Sequence, residues 1–239
     1  MPLLEGKGIT RYFGGLAAIS NVDFHVDPAE IVGLIGPNGA GKTTLFNMVS
    51  GAISPKSGRI MFKGSNITGL RPDRICKMGI ARTFQSVKIF GHMTVFDNVR
   101  VASLFGAGSK STSGKIPGDV AGILEFVDLY KVKDNMAADL TLVRQKQLEV
   151  ARALATRPDL LLLDELMAGL NVSEVTQAMD IVKRIRQSSI AVFMIEHVMK
   201  AIMGMCDRII VLHHGEKIAE GTPQAIADNK TVVEVYLGE

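Results

Sequence analysis

The sequence predicts an α/β protein built on a parallel, doubly wound sheet, and two patterns carry this prediction. Three runs of consecutive apolar residues have the length of strands buried on both faces, namely Ile31–Ile35, Leu160–Leu163 and Ile190–Ile195. The segment between the second and third runs has apolar residues at the spacing of one helix face, at Val175, Met179, Val182 and Ile185. Buried strands that alternate with amphipathic helices are typical of a parallel sheet covered on both sides.

Composition indicates a globular protein of ordinary type. The 239 residues suffice for one α/β domain with a large core, and 47% hydrophobic with 21% charged residues exclude a disordered chain. The net charge of +3 gives no reason to expect a nucleic-acid partner. The two cysteines, Cys76 and Cys206, are too few for a disulfide scaffold. No apolar run approaches membrane-spanning length and residues 1–11 lack a signal-peptide core, so we expect a cytoplasmic protein.

The N-terminal region predicts strands followed by one helix. Residues 1–35 form short apolar runs separated by turn residues at Gly14-Gly15 and Asp27-Pro28, which favours two or three strands. A glycine-rich loop comes next, then a helix over Thr43–Val49, and Gly58–Gly64 is typical of a short strand between turns.

The middle of the chain, from about Asp73 to Leu154, has a helical pattern. Apolar residues recur at roughly helical spacing in two places, at Met93, Phe96, Val99 and Val101, and at Ile123, Val127 and Tyr130. The polar segment Gly106–Gly118 between them predicts a mobile loop. It is not a phosphate loop, because Ile116 follows Gly114-Lys115 where Ser or Thr is required.

The C-terminal segment predicts a hairpin and a short helix. Arg208–His213 and Glu216–Ala219 are strand-like and are joined by the turn residues His214-Gly215. The residues that follow are expected to form the last helix, and no internal repeat interrupts this order of elements.

One glycine-rich segment carries a nucleotide-binding pattern. Gly36-Pro37-Asn38-Gly39-Ala40-Gly41-Lys42-Thr43 matches G-x-x-x-x-G-K-[ST] at every defined position, and Thr44 follows. A predicted strand precedes the segment and a predicted helix follows it, as a phosphate loop requires. Its backbone N–H groups are expected to converge on phosphate oxygens. Lys42 is expected to bind the β- and γ-phosphates, and the Thr43 hydroxyl to bind Mg²⁺. The cofactors predicted are therefore ATP and Mg²⁺.

An acidic pair follows the second apolar run. Asp164 and Glu165 come directly after Leu160–Leu163, where a strand beside the phosphate loop would place Asp164 near Mg²⁺ and Glu165 near the attacking water. The alternative is an ordinary strand that leaves the core through a polar turn. The phosphate loop upstream favours the catalytic interpretation.

Two further polar residues stand where a predicted element ends. His197 follows Ile195-Glu196 and could bind the γ-phosphate, although a lone histidine is often only structural. Gln85, in Arg82-Thr83-Phe84-Gln85, could contact Mg²⁺ or water, and the alternative is a surface glutamine.

In their order and spacing these motifs resemble the ATPase subunits of ABC transporters, and most of all the LivG-type subunits of branched-chain amino acid importers. Beyond the motifs, the resemblance is carried by three segments, Phe13–Leu16, Gly33–Asn47 and Val235–Gly238. The resemblance therefore covers essentially the whole chain. The resemblance implies a P-loop NTPase (RecA-like) core with an N-terminal antiparallel β subdomain and an inserted α-helical subdomain. The core and β subdomain would occupy residues 1–85 and 155–239, and the helical subdomain residues 86–154.

The resemblance also implies roles for residues. Phe13 would stack on adenine, Gln85 would be the Q-loop glutamine that contacts Mg²⁺ and water, and His197 would be the switch histidine. Ala168–Asn171 would be the D-loop, in which Asn171 replaces the usual aspartate, and Leu166 replaces the proline that usually follows the catalytic glutamate.

The family signature, usually Leu-Ser-Gly-Gly-Gln or Leu-Ser-Tyr-Gly-Gln, is altered. Its positions hold Leu140-Thr141-Leu142-Val143-Arg144, so the hydroxyl is kept by Thr141 while the glycine and glutamine are lost. Thr141 is therefore the residue of this segment expected to bind the nucleotide.

By resemblance, the function is ATP hydrolysis that powers import of branched-chain amino acids or a related small polar solute. The implied partners are a second ATPase subunit of LivF type in a head-to-tail dimer, two transmembrane permeases and, indirectly, a periplasmic or extracellular solute-binding protein. The chain is then expected to be cytoplasmic and peripheral on the inner face of the cell membrane. The alternatives are the ATPase of an exporter, such as the lipopolysaccharide-export type, and a non-hydrolytic nucleotide-binding regulator.

Overall fold

The computed structural model describes residues 1–106 and 117–237, which belong to two compact units. The first unit comprises Met1–Ile75 and Phe193–Glu239, and the second comprises Cys76–Val192. Apart from its ends, the loop predicted at Gly106–Gly118 lies outside the described residues. The predicted helical subdomain, residues 86–154, lies inside the second unit, and its bounds stay a prediction.

An antiparallel sheet of four strands forms the N-terminal part of the first unit. Its strands are β1 (Leu4–Phe13), β2 (Leu16–Val26), β4 (Ser57–Phe62) and β5 (Ser65–Asn66), in the order β2-β1-β4-β5. This confirms the predicted antiparallel β subdomain.

The first unit also contains a parallel strand pair, which is extended by one antiparallel strand. β3 (Ile31–Ile35) is parallel to β9 (Arg208–His213), and β10 (Glu216–Gly221) pairs with β9 antiparallel. All five residues of β3 are buried, as its unbroken apolar run predicts. The rings of Phe24 and Phe46 pack on Phe193 at centroid distances of 5.8 and 5.0 Å, which places the aromatic core beside the first helix. The helices of this unit are α1 (Lys42–Val49), α7 (Met199–Met205), α8 (Pro223–Ala227) and α9 (Lys230–Leu237).

The second unit has its own parallel pair and a group of helices. β6 (Ile80–Arg82) is parallel to β7 (Leu160–Asp164), with Arg82 opposite Leu162. Three helices pack on one another, α3 (Val95–Ser103), α4 (Val120–Phe126) and α5 (Leu142–Ala155). α6 (Val172–Gln187) follows β7 and buries the predicted apolar face.

The chain crosses between the two units within α2 (Pro72–Met78) and β8 (Ala191–Ile195). β6 corrects the helical pattern predicted from Asp73 to Leu154. Three residues are too short to show a period in the sequence, and this strand exists because it pairs with β7. Within residues 1–106 and 117–237, no helix combines the length and apolar character needed to cross a membrane.

Candidate nucleotide-binding site

The loop between β3 and α1 has a shape that requires its glycines. Gly36, Gly39 and Gly41 have φ values of 150°, 79° and 102°, which residues with a side chain rarely adopt. A Cβ atom at Gly36 would lie 2.1 Å from the Leu212 carbonyl oxygen, and one at Gly41 would lie 2.3 Å from that of Ala18. The neighbouring strands β9 and β2 therefore leave space only for glycine at these two positions.

Lys42 begins α1, and its side chain turns back onto the loop. Its Nζ atom donates hydrogen bonds to the carbonyl oxygens of Gly36, at 2.5 Å, and Pro37, at 2.8 Å. The side chain is buried, with 6% of its surface exposed. The positive charge is thus held against the loop backbone, where a phosphate group bound by the loop would meet it.

The first turn of α1 is open to an anion. No side chain caps this helix, its N-cap is Gly41, and its first turn contains no acidic residue. The first N–H groups of a helix have no partner within the helix, and they carry the positive end of its dipole. Thr43 is exposed and Thr44 half-buried on this turn, and their predicted roles in binding the nucleotide and its cation stay predictions.

The two other predicted residues of the first unit occupy exposed positions. Phe13 ends β1 at the hairpin with β2, with 50% of its surface exposed and the Arg11 guanidinium 5.2 Å from its ring centre. An exposed ring of this kind offers a face for stacking. β8 is followed by Glu196, which is 2% exposed, and then by His197, which is exposed.

Asp164 ends β7, and its two carboxylate oxygens differ in their surroundings. Its Oδ2 atom accepts a hydrogen bond of 2.8 Å from Arg82, and both side chains of this ion pair are buried. Its backbone N–H donates to the hydroxyl of buried Thr83 at 3.2 Å. Among the described residues, Oδ1 of Asp164 is buried and accepts no hydrogen bond. A buried carboxylate oxygen with an unused lone pair is suited to a hard cation such as Mg²⁺.

The side chains of Gln85 and Glu165, two of the predicted catalytic residues, are joined by a hydrogen bond. The Gln85 amide nitrogen donates to the Glu165 carboxylate at 3.0 Å. Glu165 has a φ of 52°, the left-handed region that residues with a Cβ atom usually avoid, at a cost of roughly 1–2 kcal/mol. Something in the surroundings must stabilise this backbone conformation.

The altered signature segment lies at the start of α5. Thr141 is the N-cap residue, and its exposed side chain makes no capping hydrogen bond, so its hydroxyl is not committed to the helix. Leu142 is 47% exposed and Arg144 is also exposed, whereas Leu140 is buried. The segment therefore presents Thr141, Leu142 and Arg144 outward, with only one hydroxyl among them.

Asn171, which replaces the usual aspartate, caps α6. Its side-chain oxygen accepts from the N–H groups of Ser173 and Glu174, each at 3.0 Å, and the Glu174 carboxylate accepts from the Asn171 N–H at 2.9 Å. This reciprocal capping box is one that asparagine forms as well as aspartate does. The replacement therefore keeps the local structure of the loop.

The segment after Gln85 is held by two charged residues of α5. The backbone N–H of Lys88 donates to Glu149 at 2.8 Å, its carbonyl accepts from Arg152, and the Arg152 guanidinium lies 4.6 Å from the Phe90 ring centre. Burial raises the pKa of Glu149, although its hydrogen bonds and the nearby cations oppose that shift.

Sequence reasoning missed three residues that shape the second unit's part of the site. Arg82 and Thr83 hold Asp164, and Lys146 donates to the backbone of the loop that follows β7. The sequence does contain a signal for Lys146, because the residue occupies the buried face of α5 at helical spacing from Val150 and Ala153. For Arg82 the signal is weaker, since it depends on knowing that β6 pairs with β7.

Two family models match separate segments of the chain. A model described as "ABC transporter" matches residues 19–168, and one described as "Branched-chain amino acid ATP-binding cassette transporter" matches residues 216–239. The first match alone covers more than half of the chain.

Relatives and solved structures match the chain over its full length. The high-affinity branched-chain amino acid transport ATP-binding proteins LivG of Escherichia coli and BraF of Pseudomonas aeruginosa are each 39% identical to the chain, over 100% of it and 98% of theirs. The lipopolysaccharide export system ATP-binding protein LptB of Haemophilus influenzae is 30% identical over the same shares. The ADP conformation of an ATP-binding cassette of an ABC transporter superposes with a TM-score of 0.89 at 30% identity, covering 100% of both chains. The phosphate loop, the acidic pair after β7 and these full-length matches agree, and the chain belongs to the family of ATP-hydrolysing cassettes of ABC transporters.

Proposed function

We propose that this chain is the ATP-hydrolysing subunit of an importer for branched-chain amino acids or a related small polar solute. The observation that carries the proposal is the 39% identity to LivG and BraF along the whole chain. The match of residues 216–239 to a branched-chain amino acid cassette model supports the same substrate class from a separate segment. Substrate identity is read by other subunits, so this part of the proposal rests on the relatives alone.

Binding of ATP is assigned to the first unit. Backbone N–H groups of the phosphate loop and of the first turn of α1, together with the Lys42 ammonium, would hold the phosphates, because the start of a helix offers donors to an anion and Lys42 is a buried positive charge. Phe13 would stack on the adenine through its exposed face. His197 would contact the γ-phosphate from its exposed position after β8.

Mg²⁺ would be held by Thr43, Asp164 and Gln85. The residues fit a hard cation, since the buried Oδ1 atom of Asp164 has an unused lone pair. The amide nitrogen of Gln85 is committed to Glu165, which leaves the amide oxygen as the atom that can bind the cation. When bound, the ion would neutralise charge on the transferred phosphoryl group.

Glu165 is assigned as the general base for the attacking water. The Gln85 amide orients its carboxylate at 3.0 Å, and a carboxylate within reach of water is what in-line hydrolysis requires. Catalysis would then consist mostly of positioning and charge stabilisation. These roles oppose a purely regulatory nucleotide site, which would need no such carboxylate.

Cassettes of this family act as dimers together with transmembrane permeases. We infer that this chain pairs head to tail with a different, LivF-type ATPase on two permeases at the inner face of the membrane, served by a solute-binding protein. The signature supports a different partner, because Val143 restricts backbone approach to a phosphate where glycine would not. The proposed helical subdomain, residues 86–154, would present Thr141 to the partner's ATP.

The proposal is tested with the complex that co-purifies with the tagged chain from its own membranes. In proteoliposomes we expect ATP-dependent accumulation of radiolabelled leucine, isoleucine or valine, and a Lys42→Ala complex as the matched negative control. The 30% identity to LptB makes an exporter the second candidate. Release of lipopolysaccharide to an acceptor without amino acid uptake would contradict import and support that candidate.

A further inference from the structure

Lys146 is a buried cation that donates to two backbone carbonyls and also interacts electrostatically with Glu149. It lies on α5 with 6% of its surface exposed, and its Nζ atom donates to the carbonyl oxygens of Glu165, at 3.0 Å, and Ala168, at 2.7 Å. Its side chain lines a small depression together with the apolar residues Val143, Val150, Leu166 and Leu170. An apolar residue would fill such a place without the cost of burying a charge, and what the ammonium group adds is its hydrogen bonds to the backbone.

The two carbonyls bracket one turn. The backbone N–H of Ala168 donates to the Glu165 carbonyl at 3.3 Å, which closes the turn directly after β7. Lys146 binds the same carbonyl and the one at the other end of the turn. An ammonium group has three donors in tetrahedral arrangement, so one side chain can hold both carbonyls at once.

This turn contains the unusual backbone of Glu165. A φ of 52° fixes the direction in which the Glu165 side chain leaves the chain, and the carboxylate then accepts from Gln85. If the backbone relaxed to the right-handed or extended region, the carboxylate would be redirected. The carbonyl of Glu165 moves with that rotation, and the hydrogen bond from Lys146 opposes it.

We propose that Lys146 is a positioning residue, which holds Glu165 in the left-handed conformation that aims its carboxylate at Gln85 and the attacking water. The inference deepens the proposed function and rests on the assignment of Glu165 as the base. It also connects the base to the signature segment, because Lys146 lies on the helix whose N-cap is Thr141. A displacement of α5 is transmitted to Glu165 through these two hydrogen bonds.

The test compares Lys146→Met with wild type in the intact, co-purified transporter complex. Methionine fits the apolar depression and removes the donors, so we expect kcat to fall on the order of 10- to 100-fold, the scale of a small misplacement of a catalytic group. KM for ATP and the Kd of a non-hydrolysable ATP analogue should stay within about threefold, since the phosphate loop is untouched. Lys146→Arg should restore most of kcat, and Lys183→Met, an exposed change on α6, should behave as wild type.

A double variant separates positioning from a general loss of stability. If Lys146 acts through Glu165, adding Lys146→Met to Glu165→Gln should cause no further loss of kcat. An equal loss in both backgrounds, or a wild-type kcat in folded Lys146→Met, would overturn the inference. Should Lys146→Met fail to fold, Lys146→Leu, which also removes the donors, is judged by the same criteria. Wild-type turnover in Glu165→Gln alone would contradict the proposed base instead, so the two failures are distinguishable.

Discussion

The phosphate loop at residues 36–43 and the loop at residues 165–171 belong to different units and keep their shapes by different means. The shape of the first loop depends on its backbone, because Gly36 and Gly41 lie where neighbouring carbonyls leave no space for a Cβ atom. The shape of the second loop depends on side chains, since Lys146 donates to the carbonyls of residues 165 and 168 and Asn171 caps the helix that follows. A loop of the first kind is encoded in one contiguous motif, whereas a loop of the second kind depends on residues far along the chain.

The largest effect expected is the loss of nucleotide binding in Lys42→Ala. This change removes the buried ammonium of the backbone-determined loop, and two or more charge-assisted hydrogen bonds to phosphate are worth enough to weaken ATP affinity about 10³-fold. Equilibrium dialysis with labelled ATP measures it. Lys56→Ala, which removes an exposed lysine of the same unit, is the control. Equal ATP affinity in Lys42→Ala and wild type would remove the phosphate-loop assignment.

A second large effect is expected at the loop held by side chains. Glu165→Gln keeps the shape and the Gln85 contact but removes the base, so ATP turnover by the complex should fall at least ~100-fold while ATP binding persists. Steady-state phosphate release and analogue binding are measured on the same preparation. If phosphate release continues at the wild-type rate, the base is another group.

A moderate effect on stability is expected from the cap of α6. Asn171→Ala removes the acceptor of two backbone N–H groups and should lower the free energy of unfolding by about 1 kcal/mol. Asn171→Asp should be close to neutral, since aspartate caps equally well. Urea denaturation followed by circular dichroism measures both variants. A neutral Asn171→Ala would mean that the loop at residues 165–171 does not depend on this side chain.

The smallest effect is a pH dependence located at Glu149. Burial raises the pKa of this carboxyl in the folded protein, so the native state binds more protons than the unfolded state once the pH exceeds about 4.3. The contribution of Glu149 to stability therefore falls as the pH rises from there through the raised pKa. The neutral variant Glu149→Gln lacks this slope. Urea midpoints of both proteins over that pH range measure the difference, and parallel curves would contradict the raised pKa.

The same contrast explains what could be predicted from sequence. The strand at Ile31–Ile35 has the predicted bounds, and the helix predicted from Thr43 begins one residue earlier. The local pattern was sufficient there, because the glycines determine the conformation of their own loop and the apolar run determines the burial of its own strand. The strand at Ile80–Arg82 and the contacts of Arg82 and Lys146 could not be predicted, since each depends on a partner more than 15 residues away. The roles assigned to Gln85, Glu165 and His197 stay predictions, although a hydrogen bond joins the first two.

The helices α1 and α6, which begin at these two loops, differ in what caps their first N–H groups. α6 begins with a capping box of its own, whereas α1 begins at a glycine, with no capping side chain and no acidic residue in its first turn. A phosphate group bound at that turn accepts the same kind of backbone hydrogen bonds that the Asn171 side chain accepts in α6. A nucleotide bound at this turn, as we propose, would therefore act as the cap of α1. Its release after hydrolysis would remove that cap once in each turnover cycle.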